Sequence, residues 1–260
     1  MKTTIKGIFL FILLIPSVAQ AYTEAFYVEH GGSGNGLSAG SPAGESWFEN
    51  GSNWDTDVSA DSKIGPDDVV YFLDTGGAYT STWTAAGSGT SSGVITIMPY
   101  PGDTVEFRPT GNTAFSAGGK DYITLDCNDN ITFYSDTSVT GGNTTSFTGS
   151  EYVTVTNCTF DGSTNVTNTA SSAPAAIAFG DSGGNHITAT NNTISDVSLG
   201  IKYTLVGTGV HYGTISGNTI GPVDQEYGNA CGSCDGIGVW SSSSEANADV
   251  SGLIIQNNKV

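Results

Sequence analysis

The chain has 260 residues, of which 36 are glycine and only 12% carry a charge, and its formal net charge is −18. Nucleic acids and anionic membrane surfaces bind clustered Lys and Arg, and with seven such residues in the whole chain we exclude both as partners. Hydrophobic residues make up 37% of the sequence, which is enough to bury a continuous core in one elongated domain.

Residues 1–21 have the composition of a secretory signal peptide. Lys2 and Lys6 precede an apolar run from Ile8 to Ile15, and a small-residue cleavage site, Ala19-Gln20-Ala21, ends the segment. The run is too short to span a membrane, which takes about 20 apolar residues, and no later stretch approaches that length. We therefore predict an exported protein without a membrane span, secreted or extracellular, with periplasmic and cell-surface locations left open.

Residues 22–64 are predicted to form a lead-in and cap. A Gly/Ser-rich stretch begins at Gly31, after the aromatic strand Tyr27-Val28, and the aromatic residues Trp47, Phe48 and Trp54 follow it. A flexible linker would not carry these aromatics. We expect them to cover the first coil of a stack, because the open end of a solenoid exposes apolar surface and strand edges.

From residue 65 onwards, short segments recur in which every second residue is apolar, as in a strand with one buried face. Aligned on the first inward place, the later copies start at Ile123, Val153, Ile187, Gly213 and Leu253, with spacings of 30, 34, 26 and 40 residues. A period of this size with unequal insertions predicts a solenoid that has constant walls and variable loops.

Two further strands complete each predicted coil. Segments centred on Ile177, Ile201 and Ile237 form a second wall, and tails such as Thr193-Ile194 form a third, just past an asparagine corner. Three short strands per coil predict a parallel β-helix. The residues expected inside it are Ile187, Ala189, Ile201, Ile215, Ile237 and Val239.

The predicted corners have a shared residue type. Asn157, Asn191 and Asn257 occupy equivalent places, and Gly217 substitutes once. Asn and Gly accept left-handed backbone angles at little cost. Asparagines stacked from coil to coil can also hydrogen-bond in a ladder, which satisfies amides that would otherwise be buried without partners.

The segment Asp235 to Val239, followed by the unit from Leu253 to Val260, resembles the pectate lyase-like right-handed parallel β-helix proteins. In that superfamily an Asp-Gly-Ile-x-Val strand precedes an Asn-Val-x-Ile-x-Asn unit. The resemblance covers residues 65–260 and specifies fold better than activity. It implies an all-β, right-handed, single-stranded parallel β-helix in a secreted protein that is associated with carbohydrate.

The four cysteines fall into two pairs. An exported chain favours disulfides, and we expect a local bridge between Cys231 and Cys234. A thioredoxin-type context for redox activity and a second pair at zinc-finger spacing are both absent. Cys127 and Cys158 lie at neighbouring corners, and their pairing stays open because the direction of their side chains cannot be deduced from spacing.

A cleft is predicted on the second wall. Its outward positions Ala178, Lys202 and Gly238 should stack, and two long insertions, about 161–174 and 221–235, enter this wall on either side of a short one. The candidate residues are Lys202 and Asp235 as catalytic groups, Asp196, Tyr203, Glu226 and Tyr227 as substrate-binding groups, and Asp161 and Asp224 as metal ligands.

These residue types suit a site for acidic glycans. Calcium held by carboxylates could neutralise a uronate while Lys202 takes the proton alpha to its carboxyl group in a β-elimination. Two carboxylates could instead act as the acid and base of a hydrolase. The catalytic residues of the resembled enzymes do not match: Arg108, the one arginine, is far upstream, and Gly238 stands where polygalacturonases have a second Asp.

Three classes of function therefore remain open: a polysaccharide-active enzyme (lyase, hydrolase or epimerase), a non-catalytic carbohydrate-binding or adhesive protein, and a purely structural solenoid. Several ionisable residues on one wall would favour the enzyme, and a row of exposed aromatics would favour binding. Because the last repeat stops inside a coil at Lys259-Val260, we also expect the protein to be truncated here and its full-length form to be a monomer with further coils or a cap.

Overall fold

The computed structural model of the chain describes residues 24–58, 61–110, 113–134, 143–162, 175–180, 186–205, 210–223, 235–241 and 249–260. The predicted signal peptide lies outside these ranges. The described residues form nineteen strands, the short helix Glu45–Phe48 and the 3-10 turn Gly51–Asn53. No helix in these ranges is both long enough and apolar enough to cross a membrane.

The strands are numbered in chain order. They are β1 Ala25–Val28, β2 Val69–Phe72, β3 Trp83–Thr84, β4 Ile95–Pro99, β5 Val105–Phe107, β6 Phe115–Ser116, β7 Ile123–Asp126, β8 Ile131–Tyr134, β9 Thr145–Thr148, β10 Val153–Thr156, β11 Thr159–Asp161, β12 Ala175–Gly180, β13 Ile187–Thr190, β14 Thr193–Ser195, β15 Leu199–Leu205, β16 Val210–Ser216, β17 Thr219–Ile220, β18 Ile237–Ser241 and β19 Asp249–Gln256.

Three parallel sheets run along the molecule. Sheet I has the order β1-β2-β4-β7-β10-β13-β16-β19, sheet II the order β5-β8-β11-β14-β17, and sheet III the order β3-β6-β9-β12-β15-β18. From β4 onwards the chain visits the sheets in turn, so that successive strands of one sheet come from successive coils. The predicted right-handed parallel β-helix is confirmed.

The register between coils matches the sequence repeat. Ile123 pairs with Val153, Ile187 pairs with Gly213, and Gly213 pairs with Leu253. On sheet III the predicted alignment of Ile177, Ile201 and Ile237 is also found. Strand β1, which lies inside the predicted lead-in, pairs with β2 and is the first strand of sheet I.

Rows of like side chains fill the interior. Of the six residues predicted to lie inside, Ile187, Ala189, Ile201 and Ile215 are fully buried, and Ile237 and Val239 are partly buried against the core. Aromatic rings stack from coil to coil: the ring centroids of Phe107 and Phe133 are 4.8 Å apart, and those of Phe133 and Phe160 are 5.2 Å apart. The core is therefore one continuous column and not a set of separate clusters.

The aromatics of the lead-in pack on the first coils. Phe48 is fully buried, and its ring lies 5.2 Å from that of Trp54, 5.9 Å from that of Phe72 and 5.5 Å from that of Trp83. The Trp54 indole N–H donates to the Phe48 carbonyl, which gives its buried polar atom a partner. These contacts cover apolar surface at the first end of the column.

Each corner between sheets I and II has a left-handed residue. Asn157, Asn191 and Asn257 all have φ of 56°, and Gly217 has φ of 69°. The predicted use of Asn and Gly at these places is explained by their tolerance of positive φ.

The asparagine ladder is formed by the residue that follows each left-handed position. The Oδ1 atom of Asn218 accepts from the backbone N–H of Asn192 at 2.9 Å and from its side-chain amide at 2.9 Å, and Asn258 does the same for Asn218. Each side-chain amide also donates to a carbonyl of the preceding coil, as Asn218 does to Ala189 at 3.0 Å. Asn192 and Asn218 are 1% exposed, so these bonds replace water that cannot enter.

A disulfide continues the line of the ladder. Cys127 and Cys158 are bonded, with their Cα atoms 4.8 Å apart and a sequence separation of 31. The backbone N–H of Cys158 donates to Asn192 Oδ1 at 3.0 Å, so the covalent link and the amide ladder meet at this corner. The bridge predicted between Cys231 and Cys234 lies outside the described residues.

We predict that Asn218→Ala lowers the free energy of unfolding by roughly 3 kcal/mol, because it removes the acceptor of two buried Asn192 N–H groups and one donor to the Ala189 carbonyl. Urea unfolding followed by circular dichroism measures this loss. The matched control is Asn191→Gly, at an exposed left-handed position that glycine holds in the next coil, with an expected change within about 0.5 kcal/mol. Equal losses in both variants would contradict the role of the ladder.

A buried carboxylate supports the start of the column. Asp68 is 1% exposed, and its two oxygens accept from the backbone N–H groups of Glu24 at 2.9 Å and Gly65 at 2.7 Å. Desolvation raises the pKa of Asp68 from 3.8 to about 6, although the two hydrogen bonds act in the opposite direction. Between pH 3.8 and about pH 6 the folded protein binds more protons than the unfolded chain. The free energy of unfolding therefore falls as the pH rises through this interval.

Asp68→Asn should remove this dependence, because an amide does not titrate. Between pH 4 and pH 7 the wild type should lose unfolding free energy relative to the variant, by at most about 3 kcal/mol. Asp67→Asn makes the same change of charge at a half-exposed neighbour and serves as the control. A constant difference for Asp68→Asn across this range would contradict the role given to Asp68.

Candidate functional site

Sheet III carries the lysine that the sequence singled out. In β15 the side chains of Ile201, Tyr203 and Leu205 face the core, and Lys202 and Thr204 are half-buried on the outer face. Ala178 of β12 and Gly238 of β18 are the register partners of Lys202, as predicted. Ala178 and Gly238 are both small, so neither register partner places a bulky side chain of its own beside Lys202.

Trp240 lies next to this row. The Nζ atom of Lys202 is 5.8 Å from the centroid of the Trp240 ring, within the range of a cation–π contact. A Cβ atom on Gly238 would meet Trp240 Cη2 at 2.4 Å, so the six-membered ring lies over the glycine. The ring also packs against an outer apolar cluster of Ala175, Ala178 and Leu199. Lys202 and Trp240 therefore form a cation and an aromatic surface on one wall.

Two predicted carboxylates lie near the ends of the strands on this side of the molecule. Asp235 is exposed just before β18, and its carbonyl accepts from the Gly200 N–H at 3.0 Å. Asp196 is half-buried, lies between β14 and β15, and has φ of 55°. Among the described residues, neither forms an ion pair with Lys202.

Asp161 lies on another wall. It ends β11 in sheet II, where its register partners are Tyr134 and Ser195. The guanidinium carbon of Arg108 lies 3.6 Å from the centroid of the Tyr134 ring. A hydrogen bond from Arg108 to Glu106 is the main reason that the pKa of Arg108 is raised, and Asp161 contributes to the same effect. Asp161 thus belongs to a charged group on the outer face of sheet II.

Tyr203 is fully buried, and burial raises the pKa of its phenol to about 12, with Glu151 adding to the effect. Its predicted contact with a substrate would require the ring to leave the core. Three other candidate residues, Glu226, Tyr227 and Asp224, lie outside the described residues, and their assignments stay predictions.

A group of carboxylates that could hold a metal ion occurs far from these residues. One oxygen from each of Asp55, Asp57 and Asp61 lies within 4.8 Å of the others. Asp57 and Asp61 are exposed, and calcium prefers such oxygen ligands. Desolvation raises the pKa of Asp55, and the nearby Asp61 and Asp57 add to this effect.

The outer face of sheet I has a regular polar surface. On strands β7, β10, β13 and β16 the outward positions are half-buried and align in two rows. We call these eight positions the threonine face. They are Thr124, Thr154, Thr188 and Thr214 in the first row, and Asp126, Thr156, Thr190 and Ser216 in the second.

A column of stacked rings borders the threonine face. The centroids of Tyr122 and Tyr152 are 4.5 Å apart, those of Tyr152 and His186 are 4.4 Å apart, and those of His186 and Tyr212 are 4.9 Å apart. The ring planes differ by 5°, 9° and 15°, so each ring covers the face of the next and presents its edge outwards. A groove of about 230 Å³ lies between His186, Tyr212 and the first threonine row.

Comparison with known protein families, characterised proteins and solved structures found no match for this chain. The three stacked parallel sheets support the parallel β-helix fold that the resemblance implied, and no family is assigned.

Sequence reasoning missed Trp240 and both rows of the threonine face. Trp240 lies one residue beyond the strand segment that the repeat identified, at Val239. The threonines occupy the polar places of the same period-two pattern whose apolar places located the core. Their recurrence at equal offsets from Ile123, Val153 and Ile187 was the signal available.

We predict that Gly238→Ala displaces the Trp240 ring, because the added methyl group would occupy its place. The ring can rotate away, so the fold should persist while acrylamide quenching of tryptophan fluorescence increases. Gly40→Ala is the control, since an added Cβ there meets nothing within 4 Å. Unchanged quenching in Gly238→Ala would contradict the position of the Trp240 ring over Gly238.

Proposed function

We propose that this chain is an exported polysaccharide-binding protein that holds acidic glycans on the outer face of sheet III. The observation that carries the proposal is the position of Lys202 Nζ 5.8 Å from the Trp240 ring, in a row with the small residues Ala178 and Gly238. An aromatic ring supplies apolar contact area for a sugar, and an ammonium group pairs with a carboxylate.

The negative charge of the whole protein means that an acidic glycan can bind only where a cation is close. With a net charge of −18 the chain repels polyanions. Salt screens this repulsion beyond about 8 Å at physiological ionic strength. A uronate chain therefore needs a local cation, and Lys202 supplies one on this wall. Calcium held between uronate carboxylates would offset the remaining repulsion.

Cleavage of the bound glycan is the second candidate function. Lys202 lies in β15 and the exposed Asp235 lies two residues before β18, the next strand of the same sheet, which favours a common ligand. In that case Lys202 takes the proton alpha to the uronate carboxyl group, and the electron pair forms a double bond as the β carbon–oxygen bond breaks. The expelled oxygen takes a proton from water, so the products are an unsaturated sugar and a new hydroxyl end.

Binding is tested by titrating the protein with polygalacturonate, with and without calcium, and with a neutral glucan. Lys202→Ala should weaken polygalacturonate binding by about tenfold or more, because it removes a charge-assisted contact worth roughly 1.5–3 kcal/mol. Trp240→Ala should weaken it as well. Ultraviolet absorbance of the unsaturated product reports any cleavage in the same samples.

Lys63→Ala is the matched control, because it removes the same charge from an exposed residue at the other end of the column. It should bind like the wild type. Wild-type affinity in both Lys202→Ala and Trp240→Ala would overturn the proposal, and cleavage retained by Lys202→Ala would exclude Lys202 as the base.

A further inference from the structure

The threonine face repeats in two directions. Along the column, neighbouring strands of a sheet lie about 4.7–4.9 Å apart, and along each strand two residues span about 6.6–6.8 Å. The stacked rings beside the face confirm the first interval directly, at 4.4–4.9 Å. The register from β7 to β16 contains no insertion within the two rows, so the eight side chains lie on a nearly rectangular lattice.

The hydroxyl groups on this lattice are available and held in place. Among the described residues, no side chain or backbone group is hydrogen-bonded to the hydroxyls of Thr124, Thr154, Thr188 or Thr214. In the second row Thr190 donates to Thr156 at 3.0 Å, so these two hydroxyls are aligned along the column. A β-branched side chain in a strand has few rotamers, so little entropy is lost when a ligand fixes these groups.

The face is almost without charge. The chain as a whole has a net charge of −18, yet Asp126, at one end of the second row, is the one acidic residue among the eight positions, and none of the eight is basic. A neutral surface does not select cations or charged polymers. Its ligand should therefore be neutral, rigid and periodic in two dimensions.

Ice and crystalline neutral polysaccharides both meet this description, and the bordering rings favour ice. Sugars pack on the faces of aromatic rings, but here the faces are covered by neighbouring rings and the edges point outwards. The shorter repeat of oxygen atoms in hexagonal ice is close to the spacing between coils, and the longer repeat is somewhat wider than two residues of a strand. Hydroxyls at these intervals can replace lattice waters, and the adjacent methyl groups exclude disordered water.

We propose that the threonine face binds the surface of ice crystals. This function is independent of glycan binding, because it uses sheet I and not the sheet III wall around Lys202. An adsorbed protein blocks the growth of the crystal face it covers. The expected properties are a gap between the melting and freezing temperatures of a small crystal, and slower recrystallisation of a frozen solution.

The test measures both properties for the whole chain and for variants in each row. Thr188→Lys and Thr156→Lys should each reduce the freezing gap several-fold, because a long charged side chain lifts the face from the crystal. Thr188→Val keeps the shape of the side chain and removes one hydroxyl, so it should fold normally and lose a smaller part of the activity. Thr193→Lys is the control: Thr193 is exposed on sheet II.

The proposal is overturned if the wild-type chain neither opens a freezing gap nor slows recrystallisation, or if Thr188→Lys and Thr156→Lys, folded by circular dichroism, match Thr193→Lys. Adsorption of the wild type to crystalline cellulose or chitin without any effect on ice would assign the face to a neutral polysaccharide instead. Lys202→Ala should leave ice binding unchanged, so failure of this proposal and failure of glycan binding are distinguishable.

Discussion

The buried amides at the corner between sheets I and II determine how one coil sits on the next. Asn192 and Asn218 are 1% exposed, and each bonds to neighbouring coils through both ends of its side chain. The half-buried Asn258 continues the same line of bonds. A shift of one residue would leave several of these groups unpaired at once, at a cost of about 1–3 kcal/mol each. This restriction favours the observed register in the coils from β10 to β19, where the ladder runs.

The fold could be predicted because its main determinants are local and repeated. Alternation placed Ile187 and Ile215 inside, and the repeat spacing aligned Ile123 with Val153. The Cys127–Cys158 bridge could not be deduced, because it depends on how the side chains converge at two corners of different length. The ladder was expected at the left-handed asparagines but is formed by their buried neighbours Asn192 and Asn218. Of the left-handed asparagines, Asn157 bonds to the preceding coil through Asp126.

The candidate site was harder to predict, because the loops that enter sheet III differ in every coil and follow no repeat. Tyr203 was placed beside Lys202 in the cleft, yet adjacent residues of a strand point to opposite faces, and it is buried. Trp240 depends on the glycine under its ring, a contact between residues that no motif connects. Surface rows such as the threonine face look like ordinary solvated positions until the register shows that they align.

The sheets give the molecule two outer surfaces of different chemistry. Sheet III has a lysine and a tryptophan in a row of small residues, and sheet I has hydroxyls on a lattice. The core side chains of both walls belong to one apolar column. A substitution on one outer face therefore leaves the other face in place, provided that it does not reach the core.

Because each coil contacts chiefly the coils on either side, the column can gain or lose a whole coil without a change in the rest. Gene duplication of one repeat would lengthen the hydroxyl lattice by one step and preserve its spacing. Adhesion to an extended surface increases with the number of contacts made together, so such a duplication would change affinity in a single step. The architecture thus allows selection to adjust binding strength by copying an existing unit, with no new fold required.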